Sequence, residues 1–257
     1  MGSGQKTMTD QPEMAKPTVA VTGASRGIGH AIVKEFYNSG WDVFTLARTP
    51  FSKVCPWAEG IVKHIEVDLS NETSIQESVG ALKIQLDGRG LNALVNNAGI
   101  SPKDNEGKRL SASKTSPDTF RKVQMVNLIA PMILCKELLQ PLGAANGSIV
   151  NVTSIAGSRI HPFAGSAYAV SKAGLSALTR ELAHEFADNG VRVNAVAPGE
   201  IFTSILSEGT DEVVERDVPM KRLGDPAEVA EVVSFLCSDK ASYITGAEIP
   251  INGGQHV

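Results

Sequence analysis

The segment from Thr18 to Gly40 constrains the fold more than any other part of this chain. Thr18 to Thr22 is a short apolar run rich in β-branched residues, which is typical of a buried strand. Apolar residues then recur at helical spacing up to Tyr37, namely Ile28, Ala31, Ile32 and Phe36. Three glycines stand between the two patterns. The segment therefore predicts a strand, a tight glycine-rich turn and a helix that ends before Gly40.

The glycine spacing suggests what this turn does. Gly23, Gly27 and Gly29 follow the pattern Gly-x-x-x-Gly-x-Gly, which differs from the commoner Gly-x-Gly-x-x-Gly dinucleotide fingerprint. Glycine lets the backbone turn sharply and approach a ligand, and the first turn of a helix offers free N–H groups and a positive dipole end. The pattern predicts a pyrophosphate site, with a glycine-rich turn that binds nothing as the alternative.

Composition excludes several other classes of protein. The 257 residues carry a net charge of −4, so nothing points to nucleic acid, and no apolar run is long enough to span a membrane. Three cysteines without metal or redox spacing indicate thiols in a reducing compartment, and the histidines show no metal-ligand spacing. Met1 to Lys16 is polar and lacks the apolar core of a signal peptide. We expect a cytoplasmic protein without a metal site, with residues 1–16 forming a poorly ordered tail.

Strand and helix patterns alternate along the rest of the chain. Further strands are predicted at Trp41–Leu46, Ile61–Val67, Asn92–Val95, Ser148–Val152, Val191–Ala197 and Glu248–Ile251. Helices are predicted at Asn71–Leu86, Pro117–Leu139, Ala167–Ala187 and Pro226–Ser238, and loops at Pro50–Gly60 and Ser101–Ser116. The segment Glu200–Lys221 is predicted to be irregular or weakly helical. This alternation predicts one α/β domain over residues 17–257, a doubly wound parallel sheet with helices on both faces.

Four separated signatures resemble one family. The first is Thr22-Gly23-Ala24-Ser25-Arg26-Gly27-Ile28-Gly29, and the second is Asn96-Asn97-Ala98-Gly99. The third is Ser154 followed by Tyr168-Ala169-Val170-Ser171-Lys172, and the fourth is Pro198-Gly199-Glu200-Ile201-Phe202-Thr203. Over about Pro17 to Gly254 the chain resembles the classical short-chain dehydrogenases/reductases. The resemblance implies a Rossmann-type fold and hydride transfer between a nicotinamide cofactor and a carbonyl or alcohol.

The predicted acid–base chemistry centres on Tyr168. Lys172 lies four residues later on the same helix face, and an ammonium there, together with an oxidised nicotinamide, is expected to lower the tyrosine pKa toward neutrality. Ser154 follows the neighbouring strand and is expected to hydrogen-bond the carbonyl oxygen. The resemblance adds that Lys172 binds the ribose hydroxyls. The alternative is a surface tyrosine and lysine on an amphipathic helix.

Asn127 completes the predicted catalytic set. It lies inside the predicted Pro117–Leu139 helix, and Pro131, four residues later, has no N–H to donate to its carbonyl. That carbonyl is therefore available to hold a water. The resemblance implies a water that connects the lysine to solvent as a proton relay. The alternative is a simple kink in a long helix.

Two arginines predict the choice of cofactor. The second strand ends in Ala47-Arg48, where binders of NAD usually place an acidic residue. Arg48 and Arg26 suit a 2′-phosphate, so NADP(H) is the preferred cofactor, with NAD(H) possible if Arg48 is merely solvated or stacks on adenine. The resemblance implies that Asp68 accepts from the adenine amine, and a strand-terminal cap is its alternative. The predicted cofactor contacts are Gly23, Ser25, Arg26, Gly27, Ile28, Gly29, Arg48, Asp68, Leu69, Asn97, Ala98, Gly99, Tyr168, Lys172, Pro198, Gly199, Ile201 and Thr203.

The substrate is less determined. Arg159, His161 and Phe163 stand between Ser154 and Tyr168, where they either line the substrate pocket or lie there by chance. The nearest subgroup by resemblance is the 3-oxoacyl-carrier-protein reductases. The basic residues that an acidic carrier protein requires are absent, since the chain reads Gly143-Ala144-Ala145-Asn146-Gly147 before the fifth strand and has His184 and Asn189 along and just after the catalytic helix.

We therefore expect a small free carbonyl or hydroxyl compound as the substrate. A cofactor-binding sensor without catalysis is the alternative from another class, and the intact Ser154, Tyr168 and Lys172 disfavour it. The resemblance also implies a homo-oligomer, a tetramer or dimer, that pairs the helices at Pro117–Leu139 and Ala167–Ala187.

Overall fold

Seven parallel strands form one sheet in the computed structural model, which describes residues 15–53, 55–203 and 209–257. The strands are β1 (Thr18–Thr22), β2 (Asp42–Ala47), β3 (Lys63–Glu66), β4 (Ala93–Asn96), β5 (Ser148–Val152), β6 (Arg192–Pro198) and β7 (Glu248–Ile251). Their order across the sheet is β3-β2-β1-β4-β5-β6-β7. The order reverses between β1 and β4, which is the switch point where doubly wound sheets bind ligands.

Eight α-helices connect or follow these strands in the described part of the chain. They are α1 (Gly27–Asn38), α2 (Glu72–Leu86), α3 (Pro117–Gln124), α4 (Ala130–Glu137), α5 (Leu139–Ala144), α6 (Ser166–Glu185), α7 (Thr210–Asp217) and α8 (Pro226–Cys237). Helices cover both faces of the sheet, so the predicted doubly wound α/β class is confirmed.

Burial on both faces explains why the central strands are almost wholly apolar. Along β1, Val19 and Val21 pack in a core cluster with Ile32 and Phe36 of α1, whereas Ala20 belongs to the cluster on the opposite face. All five residues of β1 are buried. Alternate side chains of one strand thus stabilise two separate helix layers, as a parallel sheet requires.

The third strand is shorter than its apolar pattern predicts. Ile61–Val67 was the expected strand, but the ladder begins at Lys63. The N–H groups of Ile61 and Val62 both donate to the carbonyl of Ala58, at 3.1 and 3.0 Å, so these two residues close a turn instead of pairing with β2. The predicted loop before them also contains two short 3-10 turns, at Phe51–Lys53 and Pro56–Ala58.

The predicted helix Pro117–Leu139 is not one regular helix. A π-helical segment, Met125–Ile129, separates α3 from α4, and the chain then forms the unpredicted α5. Pro131 cannot donate to the carbonyl of Asn127, which removes one bond of the α-helical ladder. The ladder widens at this point, and the N–H of Ala130 donates to the carbonyl of Met125, five residues earlier.

Two of the remaining predicted segments lie only partly within the residues that the structure describes. Glu200–Lys221 contains α7, and residues 204–208 lie outside the described residues, as do residues 1–14 of the predicted tail. Across the described ranges, no helix is long and apolar enough to cross a membrane. The same residues bring no three metal-ligating side chains together. All three cysteines are free and buried.

Candidate active site

The glycine turn after β1 is sterically closed. Gly23 has φ +67°, and a Cβ there would lie 2.7 Å from the Cα of Ala98. A Cβ at Gly29 would lie 2.3 Å from the carbonyl oxygen of Gly23 and 2.4 Å from the Nδ2 of Asn97. Gly27 has φ +56° and faces Thr203. The glycines therefore allow β1, α1 and the end of β4 to meet, in addition to any access they give a ligand.

The start of α1 suits a diphosphate. The helix begins at Gly27 after Arg26, whose side chain makes no capping hydrogen bond, and its first turn contains no acidic residue. Its first N–H groups are thus available to an anion at the positive end of a 12-residue helix. Ser25 and Ile28 flank this position and are both half-buried. The residues present fit the diphosphate of a dinucleotide cofactor, which is what the sequence predicts.

Thr22 and Asn97 tie the ends of β1 and β4 together. The hydroxyl of Thr22 accepts from the N–H groups of Asn97 and Ala98, both at 3.1 Å. The amide of Asn97 donates to the carbonyls of Thr22 and Gly23, both at 3.0 Å. Both amide hydrogens of Asn97 therefore bond the protein itself. Thr22 was not among the predicted site residues, although it opens the first signature.

Tyr168, Lys172 and Ser154 come together from two elements. Tyr168 and Lys172 lie one turn apart on α6, and the Nζ of Lys172 is 5.7 Å from the centre of the Tyr168 ring. Ser154 follows β5, caps a 3-10 turn and lies close enough to Tyr168 to lower the pKa of its hydroxyl. The buried Nζ of Lys172 also donates to the carbonyl of Val152 at 2.6 Å, which ties α6 to β5.

Burial changes the acidity of both α6 groups. It raises the pKa of Tyr168, and the hydrogen bond with Ser154 opposes that rise only in part. Burial also lowers the pKa of Lys172 to about 8. The predicted lowering of the tyrosine pKa is therefore wrong for the protein's own groups, because removal from water outweighs the effect of Ser154, the one group found to lower this pKa.

Asn127 lies in the π-helical segment and is fully buried. Its Oδ1 accepts from the N–H of Ile100 at 2.8 Å, and its Nδ2 donates to the Ile100 carbonyl and to the hydroxyl of Ser171, both at 3.0 Å. The side chain therefore joins the segment after β4 to α6, one residue from Lys172. The wider π-helical turn directs this side chain toward the site. Neither the predicted regular helix nor a simple kink would specify that direction.

The two arginines of the predicted phosphate site are exposed. Neither Arg26 nor Arg48 forms an ion pair with any carboxylate in the described ranges.

Asp68 accepts from the hydroxyl and N–H of Ser70 at 2.7 and 2.9 Å. These two bonds, with Arg48 and Lys122 adding to them, hold the pKa of Asp68 below its usual value. One oxygen of Asp68 thus closes a local turn, as the capping alternative expects, while Leu69 beside it is buried.

The segment after β6 closes the other side of the site. A Cβ at Gly199 would lie 2.5 Å from the Cβ of Asn252, so this glycine is required for packing against the chain's C-terminal segment. Ile201 is buried, and a Cβ at Gly27 would lie 3.2 Å from the Cγ2 of Thr203. A Cβ at Gly99 would lie 3.4 Å from the Nζ of Lys172. All of the predicted cofactor contacts therefore surround the carboxyl ends of the strands.

A buried pair of a histidine and a glutamate lies beside these residues. The Nε2 of His161 is 2.5 Å from the Oε1 of Glu200, with side chains only 12% and 8% exposed. The Nζ of Lys103 donates to the carbonyl of Phe163 at 2.5 Å. His161 and Phe163 were predicted to line the substrate pocket, but Glu200 and Lys103 were not singled out. The available signal was an acidic residue directly after Pro198-Gly199 at a strand end.

A separate pocket of about 310 Å³ opens next to this region. Its lining includes Glu200, the exposed ion pair of Arg222 and Glu228, and His256 near the C-terminus. Ser154, Tyr168 and Lys172 do not line it. The pocket therefore borders the strand-end site without containing its acid–base groups.

Comparisons with known proteins agree with this geometry. A family model described as enoyl-(acyl carrier protein) reductase matches residues 23–256. Protein FixR of Bradyrhizobium diazoefficiens is 55% identical over 92% of this chain and 86% of its own length.

Two solved structures are similar over nearly the whole chain. An oxidoreductase of Brucella ovis, of the short-chain dehydrogenase/reductase family and in complex with a partially ordered NAD, is 49% identical with a TM-score of 0.80, over 93% of this chain and 100% of that one. A 3-oxoacyl-[acyl-carrier protein] reductase of Brucella melitensis with bound NAD is 32% identical with a TM-score of 0.84, over 99% and 98%. The chain belongs to the short-chain dehydrogenase/reductase family and is an oxidoreductase that acts on carbonyl or alcohol groups.

Proposed function

We propose that this protein interconverts a carbonyl and a secondary alcohol in an NADP(H)-dependent reaction, with Tyr168 as the acid–base group. The observation that carries the proposal is the position of Ser154 next to Tyr168, with the buried ammonium of Lys172 at 5.7 Å from the centre of the Tyr168 ring. These are a donor for a developing oxyanion, a proton source and a fixed positive charge, which carbonyl reduction requires at one place.

Each of the three residues has its own task in the proposed reaction. When bound, a nicotinamide cofactor supplies or accepts the hydride. Ser154 orients the carbonyl oxygen by a hydrogen bond, and Tyr168 gives that oxygen its proton. Lys172 holds the ribose hydroxyls and adds a positive charge that favours the phenolate. The pKa of Tyr168 starts raised by burial, so the reaction depends on the positive charges of lysine and oxidised nicotinamide to bring it down.

We assign Asn127 to the same catalytic group. Its side chain fixes the segment at Ile100 and the hydroxyl of Ser171, which neighbours Lys172. Those bonds support a role in positioning the lysine. The relay of protons through a water on its main-chain carbonyl is the further part of the proposal, and it rests on the family resemblance.

NADP(H) is the proposed cofactor. Arg26 and Arg48 are exposed, have no carboxylate partner in the described ranges, and flank the turn where a 2′-phosphate would lie. Guanidinium groups bind phosphate through paired donors. NAD(H) is the alternative, because both similar Brucella structures contain NAD.

A 3-oxoacyl-carrier-protein reductase is the second candidate, favoured by the similar Brucella melitensis enzyme. Gly143–Gly147 contains no basic residue, and His184 and Asn189 stand where such reductases carry further arginines by the family resemblance. We therefore prefer a small, free substrate. A comparison of acetoacetyl thioesters, carried and free, separates the two, since a carrier-dependent enzyme prefers the protein-bound thioester.

We also propose a cytoplasmic homo-oligomer, most simply a tetramer. β7 lies at an edge of the sheet and pairs with a neighbouring strand on one side only within the described residues. Leu182 of α6 belongs to the monomer core, and Leu178 packs against that core, so these two leucines do not by themselves support pairing of α6. Light scattering at micromolar concentration tests this, and a monomeric mass contradicts it.

The decisive test of the proposed reaction is Tyr168→Phe. The substitution removes only the hydroxyl, so we expect kcat to fall by about 100-fold or more while the cofactor Kd stays within about twofold. Tyr243→Phe makes the same chemical change at a fully exposed position and serves as the control. Retention of more than a few per cent of kcat in Tyr168→Phe contradicts the acid–base role.

A further inference from the structure

Glu248 of β7 connects three parts of the molecule through one carboxylate oxygen. Its Oε1 accepts from the hydroxyl of Thr153, directly after β5, and from the hydroxyl of Ser176 on α6, both at 2.6 Å. The strand β6 lies between β5 and β7, so this side chain reaches past a whole strand to contact both partners. A carboxylate of the edge strand thus ties the end of β5 to the helix that carries Tyr168 and Lys172.

The lengths of these two bonds indicate that both hydroxyls donate to the carboxylate. Bonds from a hydroxyl to a carboxylate are about 2.5 to 2.7 Å long, shorter than those to a neutral carbonyl. The other acceptors within reach are more distant, the carbonyl of Val196 at 2.9 Å for Thr153 and that of Lys172 at 3.1 Å for Ser176. Glu248 is therefore the shared acceptor of two hydroxyl groups from different elements.

Both hydroxyl partners adjoin the groups that hold Lys172 in place. Thr153 follows Val152, whose carbonyl accepts from the Nζ of Lys172 at 2.6 Å. The N–H of the same peptide group belongs to Thr153 and donates to a carbonyl of β6 at 2.9 Å. Ser176 lies one turn after Lys172 on α6. Glu248 therefore holds both the strand end and the helix that together place the lysine ammonium.

Thr153 is also the residue directly before Ser154. It is only 2% exposed. Ser154 caps the 3-10 turn Ile155–Gly157, and a Cβ at Gly157 would lie 3.0 Å from the main-chain carbonyl carbon of Lys172. This turn packs closely against α6, so the position of the Ser154 hydroxyl depends on how the chain enters the turn at Thr153. A shift of about 1 Å in a reacting group can cost about 100-fold in rate.

We propose that Glu248 is a positioning residue for Ser154 and Lys172. It acts through Thr153 and Ser176, and the proposal gives it no contact with substrate or cofactor. The proposal rests on the carbonyl–alcohol reaction proposed above and adds the residue that keeps two of its groups in place. Glu248 itself is exposed, so its substitution leaves the apolar cores on both faces of the sheet intact.

The test compares Glu248→Ala with Glu248→Gln, using butane-2,3-dione and acetoacetyl-CoA as substrates with NADPH or NADH. Alanine removes the shared acceptor, so we expect kcat to fall about 10- to 100-fold while the substrate KM stays within about threefold. Glutamine retains an acceptor oxygen at the same position along the side chain. It should therefore restore kcat to within about fivefold of wild type.

Asp42→Ala is the matched control for a loss of stability. The carboxylate of Asp42 also joins separate elements, since it pairs with Arg89 at 2.7 Å and with Lys63 at 3.8 Å. Asp42 begins β2, however, and so lies at the amino ends of the strands, opposite the site. Its substitution should lower the urea midpoint and leave kcat within about twofold. An equal fall of kcat in Asp42→Ala and Glu248→Ala, or no fall in Glu248→Ala, overturns the proposal.

The titration of Lys172 provides a readout that needs no turnover. Burial lowers the pKa of this lysine to about 8, so the value reports how closely the ammonium is enclosed. NMR of the protein labelled with ¹³C-lysine measures it, with the resonance assigned from Lys172→Met. In Glu248→Ala the pKa should rise toward 10.5, because a loosened strand end admits water, whereas Glu248→Gln and Asp42→Ala should leave it near 8. Loss of the negative charge alone would lower the lysine pKa instead.

The two readouts separate this inference from the proposed reaction. If no carbonyl compound is reduced with either cofactor, yet the pKa of Lys172 rises in Glu248→Ala and not in the other two variants, the reaction is wrong and the positioning role stands. If wild type reduces a carbonyl compound, and both kcat and the pKa of Lys172 are unchanged in Glu248→Ala, the positioning role is wrong and the reaction stands.

Discussion

The cofactor side and the substrate side of this site are built in different ways. On the cofactor side, the main chain of Gly23 lies against that of Ala98, and the side chains of Thr22 and Asn97 add hydrogen bonds of 3.0 to 3.1 Å to main-chain groups. On the substrate side, Lys103, His161 and Glu200 come from three separate irregular segments. The side chains of His161 and Glu200 contact each other, and the ammonium of Lys103 donates to the carbonyl of Phe163. Backbone geometry fixes the first side, and the choice of side chains fixes the second.

This difference implies unequal tolerance to substitution. A contact that involves main-chain atoms on both sides cannot relax without moving a strand, because protein interiors are closely packed. A side chain on an irregular segment can change while the strands stay in place. The same enzyme framework can therefore keep its cofactor site while its substrate changes, and the following experiments test that asymmetry in order of expected effect.

The largest effect is expected from Gly29→Ala. Its Cβ would lie 2.3 Å from the Gly23 carbonyl oxygen, so we expect a loss of at least about 3 kcal/mol in the free energy of unfolding, together with weaker cofactor binding. Urea denaturation measures it. Gly80→Ala on α2 is the matched control, because nothing lies within 4 Å of that Cβ, and it should be neutral or stabilise by up to about 1 kcal/mol. If Gly29→Ala and Gly80→Ala were equally stable, the expected low tolerance of the cofactor side to substitution would be wrong.

The buried lysine should make stability depend on pH. The pKa of Lys172 is about 8 in the folded protein against 10.5 ordinarily, so the folded state releases this proton first as the pH rises. The unfolding free energy of wild type, relative to Lys172→Met, should rise between pH 8 and 10.5 by at most about 3 kcal/mol. Urea denaturation at pH 7, 8, 9 and 10 measures this difference. An exposed control, Lys136→Met, should show no such slope, and a flat difference for Lys172 contradicts the buried ammonium.

A smaller effect is expected at the predicted phosphate site. Arg48→Ala should raise the Kd of NADPH about tenfold and leave that of NADH within about twofold, because only NADPH presents a 2′-phosphate. Ala47→Asp should shift the preference toward NADH. Arg180→Ala, an exposed arginine of α6, controls for the change in net charge. If wild type binds NADH as tightly as NADPH and Arg48→Ala changes neither, the NADP(H) preference is wrong.

The smallest effect on the fold is expected on the substrate side. Ile160 is 84% exposed beside His161, so Ile160→Ser should change the free energy of unfolding by less than about 0.5 kcal/mol and leave the cofactor Kd unchanged. Any effect should appear in the KM of the substrate. A loss of stability comparable with that of Gly29→Ala would show that the substrate side is as constrained as the cofactor side.

The same asymmetry explains how far the sequence could predict this molecule. Strand and helix positions followed from apolar spacing, because buried strands and amphipathic helices have their own periods. The turn at Ile61 and Val62 was not predictable, since it depends on two hydrogen bonds to Ala58 that no apolar pattern records.

The residues of the site likewise fall into those that the sequence could predict and those that it could not. The glycines and Tyr168 stand in local motifs, and the resemblance of four such motifs together to one family located them. Glu200 and Lys103 are 97 residues apart, and only the fold brings them near one another. The sign of the tyrosine pKa shift was also missed, because the spacing of Tyr168 and Lys172 contains no information about how deeply both are buried.

The π-helical segment determines how a residue deletion between α3 and α4 would affect the site. One extra residue in a turn rotates everything after it by about 100° around the helix axis. The side chains of α4 are therefore out of phase with those of α3, and deletion of Met125 or Val126 would rotate Asn127 relative to α3, away from Ile100 and Ser171. In a sequence alignment such a deletion would look like a minor change in helix length. It would nevertheless remove the contacts of Asn127 on which the geometry of the site depends.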